Sequence, residues 1–277
     1  PQALAEYTVT EEKATEITGV IPAVPGKYSL IVRGEVVYED GHEEPFYLRS
    51  RPITVLTEEQ QAALVRTLTP PEFTTQGLHV AVAAQGYGSG GIAQALSGAE
   101  GIEVQKLHAL TSGYLAPCDV VVLPQMRPSG LEVSEPAREA LRAFVRSGGG
   151  LMATHDAVGI RGYQALFPEI ATPVGDTLRE TEVTVDEEHA ITAGLSVGDT
   201  FTHSYYDHIP LMPGEAGTAL VTNSQGQAVV VCGEAGDGRF VAWGMATGLG
   251  DGDRDVRPEG AEEQLLANVV RWLGGAQ

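Results

Sequence analysis

Lysine is nearly missing from this 277-residue chain, which has only Lys13, Lys27 and Lys106. Lysine and arginine together number 17 against 37 aspartates and glutamates, a formal net charge of −20 at pH 7. A surface that follows a phosphate backbone needs clustered cations, and this sequence has no such cluster, so no nucleic-acid partner is expected. The carboxylate surplus favours solubility and attracts cations instead. Cysteine is scarce too, with Cys118 and Cys232 alone. Two thiols cannot build a four-thiolate zinc site, which leaves two buried free thiols or one bridge. No apolar run approaches the roughly 18 residues needed to span a bilayer, so no membrane span is expected.

What remains is ordinary globular material, 43% hydrophobic, with a change of pattern along the chain. Residues 1–57 read as β. The run "PGKYSLIVRGEVVY" alternates at Tyr28, Leu30 and Val32 and then meets polar "EDGHEEP", with Asp40-Gly41 as a hairpin signal. "FYLRSRPITVL" continues as further strand, and "AEYTVTEEKATEITGVIPAV" gives weaker strands before it. The expected result is a small all-β partial sandwich, with too few strands to close by itself. Residues 58–76 read as a short helix and a linker, with Pro70-Pro71 forcing an extended exit.

From residue 77 apolar strands alternate with helices. "LHVAVAA", "IEVQKL", "DVVVLP" and "GLMAT" are strands; "GIAQALSG" and "SEPAREALRAFVRSG" are helices, the second capped by Ser134 and stopped by Gly148. This order predicts an α/β domain over 77–277, an open, mostly parallel sheet with helices on both faces. "ETEVTV" and "TALVTNS" are further strands, "QAVVVCGEAGDGRFVAWG" adds an antiparallel hairpin with its turn at Asp237-Gly238, and "EEQLLANVVRWLGG" closes the domain as a helix.

Two places carry candidate chemistry. The glycines of "AAQGYGSGG", Gly86 and Gly88 among them, stand between a strand and a helix, where backbone amides can hold an anion; a plain crossover turn is the alternative. Dinucleotide binding is not expected, because Glu103 comes too early in the second strand, which ends instead at Lys106 and His108. In "GLMATHDAVG" the strand ends at Thr154 and His155 takes the turn, with a helix expected from Asp156. Such a residue is presented at the carboxyl edge of the sheet, where this architecture binds ligands. A helix amino end beside it would lower the histidine pKa and keep the ring neutral.

The segments "CDVVVLP", "LRAFVRSGGGLMATHDA", "EEHAITAGL" and "GDGRFVAWGMATGLG" resemble the class I glutamine amidotransferase-like fold, and within it the ThuA-like branch named for trehalose utilisation. The resemblance covers 77–277 and implies a flavodoxin-like sheet with a functional elbow. His189, Ile191, Gly194 and Leu195 keep a His-Pro-Ile-x-x-Gly-Leu motif without its proline. The resemblance also implies an elbow cysteine paired with a distant histidine and glutamate. Here His155 stands in that place, which argues against glutamine hydrolysis by a thiolate. The front part resembles immunoglobulin-like modules of bacterial surface proteins, which implies an exported or envelope protein whose module is completed upstream or by a partner chain.

"FTHSYYDHIPLM" gathers His203, Tyr206, Asp207 and His208 near one another. Asp207 and His203 are candidate catalytic partners of His155 and Asp156, with Glu188 as a further assistant. Tyr206 and His208 are candidate ligand contacts; packing tyrosines and a backbone-bonded His208 are the alternative. Asp251, Asp253, Asp255 and Glu262 match the spacing of a calcium loop, but Val256 stands where that loop needs glycine. Calcium through these carboxylates is one expectation, a solvated acidic loop the other; no organic cofactor is expected. The leading expectation is a non-catalytic domain, structural or binding a small polar ligand such as a sugar. The alternatives are a carbohydrate-active enzyme using His155 as acid or base, and an assembly protein pairing through its β module.

Overall fold

The computed structural model describes residues 25–29, 31–37, 41–49, 53–55, 57–60, 69–126, 134–159, 164–250, 252 and 254–275. The chain divides into two compact units, 1–67 and 68–277, with the division inside the stretch read as helix and linker.

The first unit contains β1 (Gly26–Tyr28), β2 (Ile31–Val37), β3 (Glu43–Arg49) and β4 (Ile53–Val55). β2 and β3 form an antiparallel hairpin from Ile31↔Arg49 to Val37↔Glu43, with Gly41 in its connection at φ +80°. β1 pairs antiparallel with β4. The strands expected before residue 25 lie outside the described residues. Residues 58–60 are helical, and Thr57 and Gln60 exchange side-chain bonds with each other's amides, a reciprocal cap that starts the expected helix.

The second unit begins with β5 (Leu78–Ala83), a short β6 (Gly86–Tyr87), α1 (Ser89–Ser97), β7 (Ile102–Leu107), the single turn α2 (Ser112–Leu115), β8 (Val120–Leu123) and a short β9 (Gln125–Met126). α3 (Glu135–Arg146) leads into β10 (Gly150–Thr154). Beyond it come β11 (Ala171–Pro173), β12 (Glu182–Val185), β13 (Thr200–Thr202), β14 (Leu211–Pro213), β15 (Gly217–Thr222), β16 (Ala228–Ala235) and β17 (Gly238–Trp243). The short pair β18 (Leu249–Gly250) and β19 (Arg254–Asp255) precedes α4 (Gly260–Leu273).

The main sheet runs β13-β12-β15-β16-β17-β10-β8-β5-β7, with β14 joining β16 and carrying β11. β17, β10, β8, β5 and β7 are mutually parallel, as the apolar strand pattern predicts. The other half is antiparallel; β12, β15 and the β16–β17 hairpin fall where strands are expected, and β11, β13 and β14 are additional. Successive side chains of each parallel strand alternate between two cores. Ala81, Val121, Leu151 and Phe240 meet Leu141 and Val145 of α3 on one face. Val80, Val122, Met152 and Val241 meet Ile92 of α1 and Leu265, Leu266 and Val269 of α4 on the other. Burial on both faces explains why "VVVL" and "GLMAT" carry almost no polar residue.

Some local expectations need correction. Ser134 precedes α3, but its hydroxyl makes no capping bond; its carbonyl accepts the Arg138 amide. The hairpin turn is Gly236–Asp237, not Asp237-Gly238, because Gly236 takes the positive φ (+66°) and Ala235 pairs with Gly238. Gly238 is a glycine for another reason: a Cβ there would run into the carbonyl oxygens of Val145 and Gly149. Gly238→Ala is therefore expected to lower stability by about 1–3 kcal/mol through overpacking against main chain. Urea unfolding measures it, and an unchanged midpoint would disprove the close approach. Cys118 and Cys232 are free and buried, Cys232 within β16.

Candidate active site

β10 sits in the middle of the parallel half and ends at Thr154. His155 then breaks the extended path with φ +45°, the one non-glycine residue with positive φ among the described residues. A side chain with a Cβ pays roughly 1–2 kcal/mol for that backbone, and such strain is concentrated at functional turns. The expected elbow is present, but it opens a single 3₁₀ turn, His155–Val158, rather than a longer helix from Asp156.

The imidazole lies between two carboxylates. Nδ1 is 3.2 Å from Asp156 Oδ1 and Nε2 is 3.2 Å from Asp207 Oδ1, and the three side chains are 1%, 5% and 9% exposed. These are ion-pair distances; neither ring nitrogen is aligned for a hydrogen bond. Burial alone would push the His155 pKa down, but the carboxylates of Asp156 and Asp207 more than reverse this and hold it above its ordinary value. The lowered pKa expected from the sequence is thus corrected. A four-residue turn has little dipole to offer, and two anions at contact distance outweigh it. Asp156 is held in turn by Gln125 of β9, whose Nε2 is 3.5 Å from Asp156 Oδ2.

Asp207 is delivered by the loop 203–208, which is pinned along its length. The His203 amide bonds the Thr181 carbonyl, and His208 exchanges backbone bonds with Leu178. His203 Nε2 and His208 Nδ1 both lie 3.0 Å from the Glu180 carbonyl. A carbonyl only accepts, so both of those nitrogens carry hydrogen. His208 Nε2 is then a lone pair and accepts the Asn223 amide at 3.3 Å. His203 Nδ1 is also a lone pair, buried and without a hydrogen-bond partner. Burial, aided by repulsion from His208, lowers the His203 pKa to about 4, although Asp207 opposes the shift. Burial lowers that of His208 too. The surroundings thus favour the cation at His155 and the neutral ring at His203, whose Nδ1 has no hydrogen-bond partner.

The remaining candidates fall elsewhere. Tyr206 is exposed, against Tyr205 at a ring distance of 4.1 Å and under the Arg179 guanidinium. Gly86 pairs with Met126 in the β6·β9 ribbon, and with Gly88 and Asp255 it lines an open cavity of about 300 Å³. Asp255 lies against Gly90 in the first turn of α1. Glu188 is exposed in the segment before Ile191 and is no partner of His155. His189 Nδ1 accepts the Ile191 amide, which makes it a turn holder. Its Nε2 is 3.9 Å from Cys232 Sγ, but burial pushes both the Cys232 and Cys118 thiols up to about 12, so neither supplies a thiolate.

Glu262, the last carboxylate of the calcium spacing, has bonds of its own. Its carboxylate is buried and accepts the Ser204 amide at 2.8 Å and the Ser204 hydroxyl at 3.4 Å. Thr247 also bonds it, while Thr247 Oγ1 accepts the Trp243 indole N–H at 2.7 Å. Burial raises the Glu262 pKa against those bonds. Asp255 is exposed, and Asp251 and Asp253 lie outside the described residues. Among the described residues no group of three or more His, Cys, Asp or Glu is arranged to hold a metal, and no helix is long and apolar enough to cross a membrane.

The sequence matches the family model described as ThuA, trehalose utilisation, over residues 79–273. No curated protein matches it in sequence. A ThuA-like protein from Bacteroides uniformis superposes with a TM-score of 0.50 at 14% identity, over 73% of this chain and 94% of that one. A β-galactosidase from Bacillus circulans sp. alkalophilus gives 0.49 at 14%, over 72% of this chain but 31% of the galactosidase. A cytoplasmic protein from Salmonella typhimurium gives 0.49 at 13%, over 88% and 96%. A second cytoplasmic protein from Salmonella typhimurium LT2 gives 0.45 at 13%, over 90% and 96%. These two run against the exported or envelope location expected from the front part, and that expectation is withdrawn. With the family model spanning most of the chain and the elbow, parallel sheet and terminal hairpin in the expected order, the chain belongs to the ThuA family, on a fold related to the class I glutamine amidotransferases.

Proposed function

We propose that the His155 centre is a general acid–base site acting on a carbohydrate. The observation that carries the reading is the elbow imidazole at φ +45°, set between the buried carboxylates of Asp156 and Asp207. The carbohydrate comes from the family description, trehalose utilisation. Both flanking carboxylates favour the imidazolium, so His155 rests as the acid and gives a proton to a substrate oxygen. His203, neutral with an unpartnered Nδ1, is the group able to accept one. Two neighbouring groups whose surroundings push their ionisation in opposite directions are the usual mark of an acid and a base.

The reading predicts a bell-shaped pH dependence of turnover. The acid limb should fall at about 4, where His203 takes up a proton. The alkaline limb should lie above 6.5, where His155 loses one. Incubation with trehalose and related disaccharides, with proton NMR of the products between pH 3 and 10 (roughly the window set by side-chain titration), tests it. Product formed by the parent chain and lost in His155→Asn is the expected result; product unaffected by that exchange would end the reading.

The deep burial of the triple, with His155 1% exposed, favours a second reading: a non-catalytic domain in which the ions clasp two loops beside a sugar-binding surface. It predicts saturable sugar binding without product in the same samples.

A further inference from the structure

We infer that Glu262 is a positioning residue for the His155 centre, acting through Ser204 to hold the loop that carries His203 and Asp207. The inference rests on reading that centre as the working site. Glu262 stands in the first turn of α4, 58 positions from Ser204, yet one carboxylate oxygen takes the Ser204 amide at 2.8 Å and the other faces its hydroxyl at 3.4 Å. The amide it holds belongs to the peptide immediately after His203. Asp207 lies between this anchor and the backbone exchange of His208 with Leu178, so the carboxylate fixes one end of the span that sets the 3.2 Å approach to His155 Nε2.

The side chain is itself held. Thr247, just beyond the end of β17, bonds the carboxylate and receives the Trp243 indole N–H. Glu262 is 2% exposed. A carboxyl group rarely sits so deep unless its bonds do specific work. Asn268, an amide on the same helix, has no such reach: it bonds the carbonyls of Ile191 and Ala193, away from the loop.

The test reads the His155 proton rather than turnover, so it decides the clamp whether or not any sugar is converted. In the 15N-labelled full chain, long-range proton–nitrogen NMR tracks each imidazole through a pH titration, and His155 is assigned by its loss in His155→Asn. Glu262→Ala is expected to lower the His155 midpoint by about 1 unit or more, because an opposite charge at contact is worth that much and Asp207 is released. Glu262→Gln keeps an acceptor for the Ser204 amide and should restore most of the shift. Asn268→Ala should lower stability without moving the midpoint. Should the alanine variant fail to fold, Glu262→Asp shortens the reach with the charge kept, and the same fall is expected. An unchanged midpoint in the folded alanine or aspartate variant, or an equal fall in Asn268→Ala, would overturn the assignment.

Discussion

Exchange of His155 for asparagine is expected to remove about 3–5 kcal/mol of stability near neutral pH, because it takes the cation from between two buried carboxylates. In the same protein it should cost turnover a factor of roughly 10²–10⁴, the usual share of a general acid. Asparagine is the right replacement because it tolerates left-handed backbone, so the φ of +45° adds little strain and the loss reports the imidazole. The pH dependence has a definite sign. The folded-state pKa of His155 is raised above 6.5, so its ionisation stabilises the fold fully below that value and the contribution is lost as pH rises through the folded midpoint. The stability gap between parent and variant should therefore shrink on going alkaline. Urea unfolding of both proteins from pH 6 to 10, roughly the range that brackets a raised histidine, measures it. A gap that is flat or widens over that range would mean the ring is not held as a cation.

Trp243→Ala carries the other large expected loss, again about 3–5 kcal/mol, the range for truncating a fully buried tryptophan. Trp243 ends β17, is paired in register with Thr154 at the elbow, and packs in the core under α4. Its loss opens a cavity beneath the site and leaves Thr247 without the indole donor. Trp243→Phe keeps much of the packing and loses the N–H, so it should cost only about 1–2 kcal/mol. Equal losses in the two variants, read from chemical unfolding, would show that the bulk of the indole has little part in this core.

The parallel half of the sheet was legible because burial on both faces leaves apolar runs that no solvent-facing strand would carry, as at Val120–Leu123 and Gly150–Thr154. α3 and α4 were legible from their apolar stripes, within about two residues at each end, the ordinary scatter of helix ends. The antiparallel half was legible only in its longer strands, β12, β15 and the β16–β17 hairpin: Ala171–Pro173, Thr200–Thr202 and Leu211–Pro213 are three residues each and hold too little alternation to read. In the site, the place of His155 came from a strand running into a turn, and Asp207 from the density of polar groups around it. The charge of the ring was out of reach, since it depends on a carboxylate 52 positions away that only the fold brings to 3.2 Å. The bonds of Glu262 were out of reach because Asp251, Asp253 and Asp255 give a local rhythm, whereas its partners Ser204 and Thr247 sit in other segments. Gln125 and Asn223 gave no signal of their own.

The two histidine rings that share the Glu180 oxygen take their orientation from main chain. The side chain at that position bonds the Ser224 amide, while the main-chain oxygen decides which nitrogen of each ring carries hydrogen. That choice is written in the course of the polypeptide from Leu178 to Glu182. Residue identity at 180 can drift while both tautomers persist, so a feature central to the chemistry leaves no mark in the alphabet of side chains.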